Sequence, residues 1–229
     1  MILEICASNF TSALNAQKAG AHRIELCCEL GVGGLTPSYD LLANVAEKLS
    51  IETFVLIRPR DGDFNYSNEE FEQMKLTIET CKQLGFKGIV SGVLTAKNVL
   101  DVDRTQELIK CSQPLSFTFH RAFDEVIDPI HTFEKLKEIG VDRLLTSGQQ
   151  LTAIEGLDVL IELNKRAEGD IIVMPGSGIN ALNAKRFKNS GFKEIHTSAT
   201  KKTEPQHGNS NELISDIRSI KSILRELNE

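Results

Sequence analysis

At 229 residues the chain has the length of one domain of the larger kind, and barrels of alternating strands and helices reach this size as a single unit. It is 41% apolar and 25% charged, with a net charge of −6 and its 26 Lys and Arg scattered, so nothing forms the basic stripe that a phosphate backbone requires, and nucleic acid is not expected as a partner. Glu4 interrupts the apolar start and no basic segment precedes it, which argues against a signal peptide; no apolar run approaches the roughly 20 residues of a membrane span, so no membrane is expected either.

Short runs of β-branched and aliphatic residues alternate with longer amphipathic segments along the whole chain. The predicted strands are Ile2–Cys6, Arg23–Cys27, Thr53–Ile57, Gly88–Ser91, Leu115–His120, Arg143–Thr146, Ile171–Met174 and Glu194–His196. Helical stretches such as Asn68–Leu84 and Pro129–Ile139 lie between them, a pattern that makes parallel strands with crossover helices. A weak repeat of glycine, junction and strand recurs at Gly20-Ala21-His22-Arg23-Ile24, Gly85-Phe86-Lys87-Gly88-Ile89, Gly140-Val141-Asp142-Arg143-Leu144 and Gly191-Phe192-Lys193-Glu194-Ile195. Each glycine falls where a helix should end in a left-handed cap. The spacings of 65, 55 and 51 residues each hold two strand–helix units, which makes eight strands. The predicted fold is therefore a (β/α)8 barrel, a TIM barrel, as one domain over residues 1–229, with Lys201–Asn211 as a polar loop before a last helix, Glu212–Leu227.

In such a barrel the ligand site lies at the C-terminal ends of the strands. Those ends are polar here: Arg58-Pro59-Arg60-Asp61 after strand three, His120-Arg121-Ala122-Phe123-Asp124 after strand five, Thr146-Ser147-Gly148, Pro175-Gly176-Ser177-Gly178 and His196-Thr197-Ser198 after the last three. Alternate strand residues face opposite sides. Phe117 and Phe119 suit the helix side, which turns Thr118 and His120 toward the axis. The same phase puts Glu4 and Cys6, Glu25 and Cys27, Leu56 and Arg58, and Glu194, His196 and Ser198 inward. The expected result is a ring of Glu4, Glu25, Arg58, His120 and His196 at the mouth.

Glu4 or Glu25 could equally form a structural salt bridge inside the barrel. His120 beside Arg121 favours an acidic ligand, with His120 as general acid or base. Arg58 and Arg60 flank a proline and could clamp a carboxylate or phosphate, or pair with Asp61 and Asp63. Gly176, Ser177 and Gly178 before a helix, with Ser147 and Ser198 on neighbouring strand ends, occupy the usual anion locus of this fold. Cys6 and Cys27 point inward on neighbouring strands, where they could bind a soft metal or pack as small apolar groups. Five cysteines, an odd number without a C-x-x-C pair, read as reduced thiols of a cytoplasmic protein.

Taken together, several stretches resemble the CutC family, the copper homeostasis proteins: Leu3-Glu4-Ile5-Cys6, Arg23-Ile24-Glu25-Leu26-Cys27, Gly33-Gly34-Leu35-Thr36-Pro37-Ser38, Ile57-Arg58-Pro59-Arg60 with Gly62-Asp63-Phe64, and Thr118-Phe119-His120-Arg121-Ala122-Phe123-Asp124. Leu145-Thr146-Ser147-Gly148 and the Gly-Ser-Gly and His-Thr-Ser-Ala turns continue the match in consistent order to Ala199. The resemblance implies a TIM barrel, a cytoplasmic protein and a homo-oligomer, a dimer being favoured. It also implies a link to copper, with Cys27 and Cys6 as the candidate Cu(I) ligands. Only three methionines are present and no Met-rich copper motif. The second expectation is an enzyme acting on a small anionic or phosphorylated metabolite at the C-terminal face.

Overall fold

A computed structural model describes residues 1–202 and 213–228 of the chain. Eight parallel strands follow one another in hydrogen-bonded order: β1 (Ile2–Ala7), β2 (Arg23–Leu26), β3 (Glu52–Leu56), β4 (Gly88–Ser91), β5 (Ser116–Phe119), β6 (Arg143–Thr146), β7 (Ile172–Pro175) and β8 (Glu194–Thr197). β8 returns to pair with β1, and a parallel bridge between Gly176 and His196 nearly closes the remaining gap to β7. Each predicted strand is present, with ends displaced by at most one residue. The helices between them are α1 (Phe10–Ala19), α2 (Tyr39–Lys48), α3 (Asn68–Gln83), α4 (Val102–Ser112), α5 (Pro129–Glu138), α6 (Leu157–Arg166), α7 (Ala184–Asn189) and α8 (Ile217–Asn228). Local chemistry sets their starts: Asn9 and Ser38 cap backbone N–H groups, Asp128 does so ahead of Pro129, and Ser67 with Glu70 completes a reciprocal capping box. No helix among the described residues is long and apolar enough to cross a membrane.

The end of the chain differs from expectation. Thr200–Lys202 (β9) pairs antiparallel with Leu213–Ser215 (β10), so part of the segment read as loop and the start of the segment read as helix form a two-stranded ribbon. The ribbon joins α1 because Ser215 N–H donates to Ser12 Oγ and Asn15 donates to Ser215 O, long-range bonds that local propensity does not encode. Residues 203–211 of the expected loop and Glu212, the expected first residue of the last helix, lie outside the described residues.

The strand phase holds. Leu3, Ile5, Ile24, Val55, Ile57, Phe117, Phe119 and Ile195 pack outward in one continuous apolar layer with the helices, and Cys6, Cys27, Phe54, Leu56 and Val90 form a separate inner cluster. The glycine repeat has a tertiary meaning. Its four glycines end helices in the left-handed region, and the residue three positions later, Arg23, Gly88, Arg143 or Glu194, begins an even-numbered strand. Barrel interiors are filled by layers drawn from alternate strands. Here Glu194 accepts from Arg23 Nη2 at 2.5 Å and from Arg143 Nε at 2.6 Å, while Gly88 leaves the space that the Phe54 ring fills. The two guanidinium groups lie over that ring at 4.6 and 5.1 Å. This charged layer plugs the barrel beneath the site.

Candidate active site

Above the layer a cavity of about 1200 Å³ opens at the C-terminal ends of the strands. Its floor carries Cys6, Glu25, Arg58, His120 and His196, and its walls come from the loops after β6, β7 and β8. Ser177, Gly178 and Ser198 line it, as does Arg121. Glu4, Cys27, Gly176, Arg60 and Ser147 do not reach its surface.

His196 and Glu4 form a fixed pair: Nδ1 of the imidazole lies 2.7 Å from Glu4 Oε1, while Arg23 Nε donates to the other carboxylate oxygen. Glu4 thus ties the site to the charged layer beneath it. Burial pushes its carboxyl up, but the His196 hydrogen bond and the Arg23 cation outweigh burial and hold it at about 2. Burial likewise opposes the His196 cation, and the Glu25 and Glu4 carboxylates overcome it, raising that histidine above its ordinary value. Glu25 is raised by burial, against the opposing pull of His196.

Beside this pair Cys6 Sγ lies 3.4 Å from Glu25 Oε1 and 3.5 Å from Cys27 Sγ. All five cysteines are free. The hydrogen bond with Cys27, burial and the neighbouring carboxyl push the Cys6 thiol well above its ordinary range. One donor atom each from Cys6, Glu25 and His196 falls within 4.8 Å of the others, a set able to hold a metal ion.

The opposite side of the floor is cationic. Arg58 is 6% exposed, and its Nη atoms donate to the carbonyl oxygens of Val32, Gly34 and Gly62. No carboxylate pairs with it among the described residues, so its charge rests on loop carbonyl dipoles and a neighbouring aromatic ring. Its guanidinium lies 4.8 Å from the Phe64 ring, and Phe64 in turn lies 4.8 Å from the His120 ring. Arg60, its expected partner in a clamp, is turned to the surface and engaged with Glu70 and Asp63 at 2.7 and 2.8 Å.

Arg121 forms a pair at 2.7 Å with Asp124 and donates to Ser147 Oγ at 3.1 Å. Asp124 also accepts from Thr146 Oγ1 and from the Ser147 and Gln149 N–H groups, which binds the β5 and β6 loops together. Asp124 has one signal in the sequence, its spacing of three residues from Arg121. In the turn after β7, Ser177 adopts a left-handed φ of +84° and its hydroxyl donates to Leu151 O, which fixes the turn against the β6 loop. Gly176 is packed under the site, where an added Cβ would come 2.5 Å from Leu145.

Fold and site together define a TIM-barrel protein with a small-molecule-sized pocket at the C-terminal ends of the barrel strands. The CutC family model matches residues 1–201. Among curated relatives, a CutC family protein of Parabacteroides distasonis is 46% identical over 200 residues, 86% of this chain and 82% of its own, and one of Salmonella typhi is 44% identical over 199 residues, 86% and 76%. The chain belongs to the CutC family. In structure it is similar to the CutC copper homeostasis protein of Streptococcus agalactiae, with a TM-score of 0.81 at 32% identity over 86% of this chain and 98% of that one. It also shares its fold with thiamine phosphate pyrophosphorylase of Pyrococcus furiosus, at a TM-score of 0.62 and 14% identity over 99% and 95% of the two chains.

Proposed function

We propose that the protein is an enzyme that binds a small anionic metabolite in this pocket. The observation that carries the reading is Arg58, a buried cation without a carboxylate partner among the described residues, at the floor of a large cavity. An uncompensated buried charge is costly, and an anionic ligand supplies the missing counter-ion. Arg121 adds a second cation at the wall, and Ser177 and Gly178 with Ser198 take a phosphate where the metabolite carries one, Gly176 supporting the turn from below. His196, oriented by Glu4 and flanked by Glu25, is the proton-transfer group. Ser147 and Arg60 act on the site through the loops they brace. A screen of inorganic phosphate and small carboxylic acids by thermal shift tests this. A ligand at a hundred times its Kd adds about 2.7 kcal/mol, a rise of roughly 5–10 °C for a domain of this size. The rise should vanish in Arg58→Met; a panel that shifts nothing sinks the reading.

A second reading is supported by the sulfur pair. Cys6 and Cys27 offer soft donors 3.5 Å apart, and Glu25 and His196 lie beside Cys6, a set that suits Cu(I). The Glu4 contact would hold the His196 ring and its tautomer in the manner usual for a metal-bound histidine. Copper handling in the cytoplasm by a homodimer is what the family resemblance implies. The reduced protein should then bind about one Cu(I) per chain. In competition with a Cu(I) chelator, Cys27→Ser should lose most of the affinity. Binding that survives intact in the Cys6→Ser, Cys27→Ser double variant rules the cysteines out as ligands.

A further inference from the structure

His120 ends β5, and its side chain caps the short 3₁₀ turn Arg121–Glu125 that follows: Nδ1 accepts the Ala122 N–H at 3.2 Å. A ring nitrogen that accepts an N–H carries no proton, so the single proton of the neutral imidazole resides on Nε2. The ring is held in place from several sides. An added Cβ at Gly92 would come 2.7 Å from Nδ1, so only glycine leaves it room, and Phe64 and Phe119 lie against it at 4.8 and 6.0 Å between ring centres. Nε2, by contrast, is buried and has no hydrogen-bond partner among the described residues. A buried donor left unpaired is destabilising, and such atoms in native proteins mark places where something else is bound.

The surroundings also forbid a second proton. Burial and the neighbouring Arg58 cation lower His120 to about 3. Of the other charged groups lining the pocket, Glu25, His196, Arg121, Asp124, Glu125, Lys201 and Arg218, none forms a hydrogen bond or ion pair with the His120 ring.

We infer that His120 is a fixed neutral hydrogen-bond donor and not a proton-transfer group, and that its Nε2–H holds a substrate oxygen that carries or develops negative charge, with Arg58 supplying the positive field behind it. This rests on the pocket reading above and narrows it to substrates bearing a carboxylate next to a carbonyl, the 2-oxo acids and their enolates. The carboxylate compensates Arg58, and the carbonyl oxygen accepts from Nε2. No proton moves to or from His120; the donor polarises the carbonyl and stabilises charge that gathers on its oxygen. Nε2 is screened from solvent, and Phe64, on the loop after β3, is the ring that yields when an oxygen takes its place.

Oxalate, a stable mimic of such an enolate, is the probe. In the full-length protein labelled with ¹⁵N at histidine, long-range ¹H–¹⁵N spectra from about pH 5 to 8 cover the range in which an ordinary histidine titrates. His120 should show the neutral pattern with its proton on Nε2 throughout, and saturating oxalate should shift that Nε2–H resonance. His120→Leu should weaken oxalate binding about tenfold or more, and His120→Gln, which keeps an N–H donor, should lose less. Titration of His120 within this range, a proton found on Nδ1, or oxalate binding that leaves both nitrogens unmoved would each overturn the inference while sparing the pocket. If the parent protein binds neither oxalate nor inorganic phosphate, the pocket reading fails and this inference with it.

Discussion

A Glu194→Gln variant should melt roughly 6–20 °C below the parent. The carboxylate is the shared acceptor of two buried arginines, at 2.5 Å from Arg23 and 2.6 Å from Arg143, and it is the only carboxylate paired with Arg143 among the described residues. Removing one member of a buried ionic cluster leaves the others desolvated and uncompensated, at about 3–5 kcal/mol. Each kcal/mol lowers the midpoint by roughly 2–4 °C in a domain of this size. The pH dependence has a defined sign. Burial raises the Glu194 carboxyl, and the two guanidinium groups more than reverse that, leaving it below its ordinary 4.5 in the folded chain. Its stabilisation is therefore complete above that unfolded value and is lost as pH falls through the lower folded one. The gap between parent and variant should be constant near neutrality and shrink on acidification below about pH 4.5. Melting curves of the two proteins across this range check both claims. Equal melting temperatures at neutral pH would mean that the charged layer does not hold the barrel.

Asp124→Ala should produce the second large loss, about 2–4 kcal/mol, seen as a fall of roughly 4–16 °C. Its carboxylate receives the Ser147 N–H at 3.1 Å, the Gln149 N–H at 3.2 Å and Arg121 Nε at 2.7 Å, besides the Thr146 hydroxyl. Backbone donors left without an acceptor cost more than an exposed ion pair returns. Arg121, with a side chain 45% exposed, contributes little of this stability, so Arg121→Ala should melt close to the parent. Hydrogen exchange at Ser147 and Gln149 should accelerate in Asp124→Ala and remain slow in Asp124→Asn, which keeps an acceptor oxygen. Because Gln149, Gln150 and Leu151 form a wall of the pocket, ligand affinity should fall along with this protection. Unchanged exchange in the alanine variant would remove Asp124 from its bracing role.

The barrel, its strands and the direction of nearly every inward side chain are legible in the residues alone. Strand periodicity is local and rigid, so once Phe117 and Phe119 face the helices, His120 must face the axis; the same reasoning placed Glu25, Arg58 and His196 on one floor. Even the charged layer left a trace, since Arg23, Gly88, Arg143 and Glu194 occupy one position of the glycine repeat, although nothing local marks that position as a meeting point. The partner of each group, by contrast, is not written locally. Arg23 and Glu194 are 171 residues apart, and Glu4 and His196 are 192 apart, so their pairing depends on barrel closure and shear. Arg58 and Arg60 look equivalent in Arg-Pro-Arg, yet one is buried among loop carbonyls and the other is tied to Glu70 at the surface, because β3 ends at Leu56 and the chain bends after Pro59, so the strand period that would put i and i+2 on one face no longer applies. Closure likewise separates the two histidines: burial opposes the cation in both, but the Glu25 and Glu4 carboxylates overcome it at His196 while Arg58 adds to it at His120, which moves them in opposite directions from one ordinary value.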